Sequence, residues 1–261
     1  MSADVPAATR PPRKARPPRW FLRPPGSEAA ARLFCLPYSG CGASMYRNWP
    51  AMVEGLEICP IQLPGRENRL RERPHETYQE LAAEVIDAIG PHLDRPFGFF
   101  GHCGSALSSY EIAVQLARSG GPVPTCVFVS SQVAPQEGPF GTYLEMDDVE
   151  LAEEVRRLIR ELGGVEPRED MVRLSLRVMR ADVDANAKYR MAEAVRLPCR
   201  VSAIGWKDDV NIRPDQMTGW RDCGQTVFRL LGGSHFTFLQ APADLREVLL
   251  ADMDLPLTAA P

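Results

Sequence analysis

Phe99-Phe100-Gly101-His102-Cys103-Gly104-Ser105-Ala106 closes an apolar run that begins at Phe97 and opens a longer run reaching Arg118. An apolar strand that passes through Gly-x-Cys-x-Ser directly into a helix implies a sharp bend. Such a bend lifts one side chain out of the sheet, beside backbone N–H groups that can hold an oxyanion. The lifted residue here is Cys103. Serine is usual at this place, and a cysteine there would hold a captured acyl group as a thioester rather than an ester.

Outward from the bend, short apolar runs alternate with amphipathic ones. Leu33–Leu36, Ile58–Ile61, Phe97–Phe100, Cys126–Val129, Val201–Ile204 and Val227–Leu230 read as buried strands. Thr77 with Glu80 forms a capping-box pattern that opens a helix with Tyr78, Leu81, Ala82, Val85, Ile86 and Ile89 on one face. Ser105 to Arg118 is a second helix, ended by Gly120-Gly121-Pro122. Strands alternating with helices predict an α/β fold, a mainly parallel sheet with helices on both faces. The alternation stops between about Pro135 and Arg196. Leu151, Val155, Leu158, Ile159 and Leu162 mark a helix closed by Gly163-Gly164, and residues 168–194 read as one or two more. The expected organisation is a core of residues 29–136 and 196–255, with a helical lid insertion at 137–195. Residues 1–28, with seven prolines and six basic residues, read as a flexible Pro/Arg-rich tail, and 256–261 as a second tail.

Three elements fall in the chain order nucleophile, acid, histidine, which is that of the α/β-hydrolase fold. Cys103 is the nucleophile candidate. The acid lies in Ala203–Asp209, a strand ending in two carboxylates, Asp208 and Asp209. His235 follows the last strand in Leu231-Gly232-Gly233-Ser234-His235-Phe236. All three are expected at the carboxyl edge of the sheet. There His235 would take the thiol proton and later protonate the leaving group, while one carboxylate fixes its tautomer. The backbone N–H of Gly104 is one candidate oxyanion donor. A second is expected from the loop Pro37–Gly42, with Ser39 the candidate. His102 points away from the nucleophile in this reading and packs the turn, and His75 and His92 sit in surface-like sequence.

Composition narrows the function classes. The chain has 261 residues, 44% hydrophobic and 25% charged, and a formal net charge of −4. That balance gives no reason to expect nucleic acid as a partner. No apolar run reaches the roughly 18 residues that span a bilayer, and the N-terminus lacks the apolar segment of a secretory signal. The seven cysteines are odd in number and scattered, with no CxxC, which fits a reducing cytoplasm better than a disulfide framework. Four histidines without metal spacing predict no metal site, and a monomer is the expected state.

Several separated motifs carry a resemblance. They are Phe34-Cys35-Leu36-Pro37 with Tyr46-Arg47-Asn48-Trp49, Gln62-Leu63-Pro64-Gly65-Arg66-Glu67, Arg180-Ala181-Asp182 with Tyr189, and Gly232–Phe236. In order and spacing, over residues 31–250, the chain resembles the type II thioesterases of nonribosomal peptide and polyketide synthesis. The resemblance implies an α/β-hydrolase acting on acyl or aminoacyl thioesters of a phosphopantetheinyl carrier protein. The pantetheine arm arrives with the substrate, and no other cofactor is implied. In that family a tryptophan follows the acid by eleven residues; Trp220 stands in that relation to Asp209, which selects Asp209 over Asp208. Two departures stand out. The family's Gly-His-Ser-Met-Gly-Ala is Gly101-His102-Cys103-Gly104-Ser105-Ala106 here, and its Pro-His-Ala-Gly-Gly is Pro37-Tyr38-Ser39-Gly40-Cys41. The cysteine variant also resembles thioesterase-like proteins that shuttle aminoacyl groups between carriers. Hydrolysis through acyl-Cys103, transfer to a second carrier, and a catalytically inactive carrier-binding module all stay open at this point.

Overall fold

The computed structural model describes residues 20–163 and 166–256. Seven strands form one sheet: β1 Ala31–Cys35, β2 Met52–Val53, β3 Leu56–Pro60, β4 Phe97–His102, β5 Cys126–Ser130, β6 Arg200–Trp206 and β7 Gln225–Leu231. Their order across the sheet is β2-β3-β1-β4-β5-β6-β7. Every adjacent pair is parallel except β2 with β3. The helices are α1 Tyr78–Ile89, α2 Gly104–Arg118, α3 Asp148–Gly163, α4 Glu169–Lys188 and α5 Ala243–Asp252. This is the expected α/β-hydrolase architecture.

Burial on both faces explains why the central strands read as continuous apolar runs rather than alternating ones. Successive residues serve opposite layers. Phe34, Phe99, Val127 and Val201 pack with Leu81 and Val85 of α1 and Ile112 of α2. Leu33, Phe100, Phe128 and Ile204 pack with Leu245 and Leu249 of α5 and with Leu151 and Val155 of α3 and Val183 of α4. Thr77 caps α1, its hydroxyl accepting the Glu80 N–H at 3.1 Å. Residues 168–194 give one helix, α4, which packs on α3. The central strands are parallel, so the loops after β1, β4, β6 and β7 all emerge at one edge.

Three readings differ from the structure. Of the predicted tail, residues 1–19 lie outside the described residues, as do 257–261 of the second tail. Residues 20–28 lie against the body instead. The Trp20 carbonyl accepts the Gln62 N–H at 2.7 Å, Phe21 bridges to Ile61, and the Arg69 guanidinium lies 4.2 Å over the Trp20 ring. Trp20 and Phe21 are an apolar pair that averaging over a Pro/Arg-rich segment conceals. The same pair covers two histidines expected at the surface. His75 is buried against Trp20 and 3.3 Å from Glu84, and half-buried His92 meets the edge of Phe21. Burial holds the His75 imidazole below its ordinary pKa, against the pull of Glu84. No helix among the described residues is long and apolar enough to cross a membrane.

Candidate active site

Cys103 occupies the bend between β4 and α2 with φ 56° and ψ −131°, a left-handed conformation that non-glycine residues adopt at a cost. The surrounding turn enforces it. A Cβ on Gly101 would lie 2.1 Å from the Ser105 carbonyl oxygen, so only glycine lets α2 begin so close above β4. Ser105 Oγ accepts the His102 N–H and donates to the His102 carbonyl, both at 2.9 Å. The Cys103 N–H donates to the Ser130 carbonyl at 2.9 Å. These contacts account for Ser105, one of the departures in the turn. Its hydroxyl closes the bend that backbone freedom alone would leave open. Cys103 is left half-exposed.

Asp209, at the end of β6, accepts from His235 Nδ1 at 2.8 Å through Oδ2. The same oxygen accepts from Ser131 Oγ at 2.7 Å, and Oδ1 accepts the backbone N–H groups of Asn211 and Ile212. Burial alone would raise this carboxyl, but the hydrogen bonds from His235, Ser131 and Ile212 hold it below the usual carboxylate range. Asp208 is exposed and takes no part. Trp220 is buried, its indole N–H donating to the carbonyl of Gln132, the neighbour of the Ser131 that bonds Asp209.

His235 is buried, and with Nδ1 committed to Asp209 its Nε2 has no hydrogen-bond partner among the described residues. The Cys103 thiol lines the same small pocket. Burial works against the imidazolium, yet Asp209 and Cys103 together push the His235 pKa up to about 9. His102 stacks on Phe238 at 3.9 Å between ring centroids and bonds Ser130 Oγ through Nδ1. It lies 4.5 Å from the His235 ring, and burial together with that neighbouring charge holds it well below its ordinary pKa. Burial and the neighbouring His235 thus disfavour charge on His102, while Asp209 and Cys103 favour it on His235.

The loop after β1 closes the site from the other side. Ser39 is buried, and a Cβ on Gly104 would come within 3.1 Å of Ser39 Oγ, so the two candidate oxyanion residues are neighbours. Gly104 is the first residue of α2, and its N–H has no acceptor within the helix. Tyr38, where the family pattern has histidine, packs edge-on to His235 and bonds Tyr143 by its hydroxyl at 2.7 Å. Tyr143 in turn donates to Glu154 of α3 at 2.9 Å. Arg157, one turn along α3, bonds Glu154 and lies over the Phe236 ring at 5.6 Å.

The sequence reading did not assign Ser131, Tyr143 or Glu154 to the site. Ser131 had a signal, two serines directly after the apolar run of β5. Tyr143 and Glu154 had none, because their link to Tyr38 depends on how the lid folds back. The pocket around Cys103 and His235 holds about 20 Å³. A second cavity, of about 470 Å³, lies between Leu158 of α3, Leu174 and Met179 of α4 and the body's Met45, Arg66 and Leu239.

Residues 31–251 match the protein family described as Thioesterase domain. The chain belongs to the thioesterase family. This thioesterase is 34% identical over 249 residues to linear gramicidin dehydrogenase LgrE of Brevibacillus parabrevis, covering 92% of this chain and 93% of that one. It is 31% identical over 244 residues to the gramicidin S biosynthesis protein GrsT of Aneurinibacillus migulanus, covering 92% and 95%. Among solved structures it superposes on RedJ, a thioesterase from the prodiginine biosynthetic pathway in Streptomyces coelicolor. The TM-score is 0.71 at 34% identity, with 89% of this chain and 96% of that one covered.

Proposed function

We propose that this thioesterase acts on acyl or aminoacyl groups delivered as thioesters on the phosphopantetheine arm of a carrier protein. The group passes through acyl-Cys103 and is released by hydrolysis. The observation that carries this reading is the hydrogen-bonded Asp209–His235 pair, with its free Nε2 beside the strained Cys103 turn. GrsT, a gramicidin S biosynthesis protein, and RedJ, a thioesterase of the prodiginine biosynthetic pathway, support a thioester substrate drawn from a biosynthetic pathway.

The chemistry follows from the groups present. His235 Nε2 takes the Cys103 proton, and the resulting imidazolium is stabilised by Asp209. The thiolate sulfur bonds to the thioester carbonyl carbon, and the carbonyl π pair moves onto oxygen. Gly104 and Ser39 N–H groups receive that oxyanion. Collapse breaks the bond to the pantetheine sulfur, which leaves with the proton from His235. Water then attacks acyl-Cys103, giving its proton to His235, which returns it to the cysteine sulfur as the carboxylic acid departs. A pocket of about 20 Å³ beside Cys103 has room for about one water molecule.

The thiol favours a second reading, transfer to another carrier. Passing an acyl group from pantetheine to Cys103 exchanges one thioester for another, so the intermediate keeps enough transfer potential to acylate a further thiol. The deciding experiment mixes the protein with an acyl-loaded carrier and an empty second carrier and follows intact masses. Hydrolysis predicts free acid with the second carrier unloaded. Acyl gain on the second carrier that disappears in Cys103→Ala would replace hydrolysis by transfer. Loss of the acyl group no faster with the wild-type protein than from the carrier alone would defeat both and leave a binding module.

A further inference from the structure

Two of the sequence motifs, Gln62–Glu67 and Arg180–Asp182, lie in different parts of the chain and contain none of the reacting groups. The fold brings them together. Arg66 Nη2 donates to Asp182 Oδ1 at 2.8 Å, and Arg66 Nη1 donates to Asp182 Oδ2 at 2.9 Å. Asp182 Oδ2 also accepts the backbone N–H of Gly40 at 2.8 Å. Arg66 Nη1 also donates to the backbone carbonyl of Cys41 at 2.9 Å. One forked ion pair therefore grips two successive residues of the loop after β1. Arg66 belongs to the body, and Asp182 belongs to α4 of the lid.

The grip is close and sheltered. Arg66 is 4% exposed and Asp182 18%, so the pair is only lightly screened by solvent. Gly40 has φ 77°, and a Cβ there would lie 2.8 Å from Met179 Cε, so α4 rests directly on the loop. The residue next to Gly40 is Ser39. A forked, charge-assisted pair fixes direction as well as distance, and such rigidity is what a backbone oxyanion donor requires.

We propose that Arg66 and Asp182 are positioning residues that hold loop 38–42 with the Ser39 N–H aimed at the oxyanion, so that the oxyanion site is complete only while α4 is seated. Lifting α4 would remove Asp182 from Gly40 and release the loop. Closure of the lid and assembly of the site are then a single event. The inference rests on the reading of Cys103 as the acylated residue.

The test compares two reactions at Cys103 in the wild-type protein, Asp182→Ala and Asp182→Asn. Acylation by an acyl-pantetheine thioester passes through an oxyanion. Alkylation by iodoacetamide displaces iodide from a saturated carbon and needs only the sulfur and His235. Asp182→Ala is expected to slow acylation about 100-fold while alkylation stays within about twofold, since misplacement by about 1 Å costs that much in an oriented reaction. Asp182→Asn keeps an oxygen for Gly40 and should recover part of the loss. Amide hydrogen exchange across residues 38–42 should rise in Asp182→Ala. Unchanged acylation, equal loss in both reactions, or unchanged exchange at 38–42 would each overturn the proposal. A wild-type Cys103 that is alkylated but never acylated would overturn the nucleophile reading, and the catalytic half of this one with it. Exchange at 38–42 would still tell whether the clamp holds the loop.

Discussion

Asp209 and Asp208 are adjacent in sequence and opposite in circumstance. Asp209 is buried and spends both oxygens on hydrogen bonds, one of them to His235, while Asp208 faces solvent. Asp209→Asn should therefore lower thioester turnover by about 10⁴, the loss expected when a histidine is held in the wrong tautomer. Asp208→Asn should change turnover by less than about twofold, surface substitutions away from special features being near neutral. Steady-state rates on an acyl-pantetheine substrate check both. His235 carries a second expectation. Its pKa of about 9 lies above the ordinary 6.5, so the charged form is stabilised by folding. That contribution is fully present below pH about 6.5 and is lost as the pH rises through about 9; from the difference it amounts to about 3 kcal/mol. Urea unfolding of wild type and His235→Ala should show their stability gap shrinking by about that amount between pH 6 and pH 10. A constant gap would contradict it. The residues legible in the sequence, Cys103, Asp209 and His235, each follow a strand end and carry chemistry in their own side chain. Ser131, Tyr143 and Glu154 act through partners 78, 105 and 11 positions away, a relation that no local pattern records.

At the scale of elements, the β4–α2 turn links sequence to chemistry most tightly. Gly101→Ala would force a methyl group into the Ser105 carbonyl, with no flexible side chain able to yield. The expected cost is about 2–3 kcal/mol of stability, together with slowed alkylation of Cys103 as the bend opens. Wild-type stability and cysteine reactivity in Gly101→Ala would show that the turn tolerates what the geometry forbids. Most of the elements were readable because burial imposes a period on them. The face of α1 repeats at helical spacing, and the buried central strands are unbroken apolar runs. β2, Met52–Val53, is two residues long and antiparallel at the sheet edge, too short for any period to register. The helix after Gly163-Gly164 was legible in kind, since Val172, Val178, Met179 and Val183 carry a buried face, but not as the single element α4.

Across the whole molecule, Cys103, Asp209 and His235 stand at strand ends of the body, and α3 and α4 reach toward them from above. α3 reaches the site through Glu154, Tyr143 and Tyr38, and α4 reaches it through Asp182 and Gly40. Between lid and body lies the cavity of about 470 Å³, large enough for an acyl chain or a pantetheine arm. Met179, buried on Gly40, lines that cavity together with Gly40 and Cys41 of the loop. Lid placement was not legible in the sequence, because the contacts that seat it join residues 66 with 182 and 38 with 143. Every step of the proposed reaction passes through one covalent bond, from the Cys103 sulfur to the acyl carbon. Brief exposure of the protein to an acyl-loaded carrier, quenched in acid and read by intact mass and peptide mapping, tests it directly. The predicted result is a protein heavier by one acyl group on Cys103, absent in Cys103→Ala. A carrier stripped of its acyl group with no mass gained at Cys103 would contradict it.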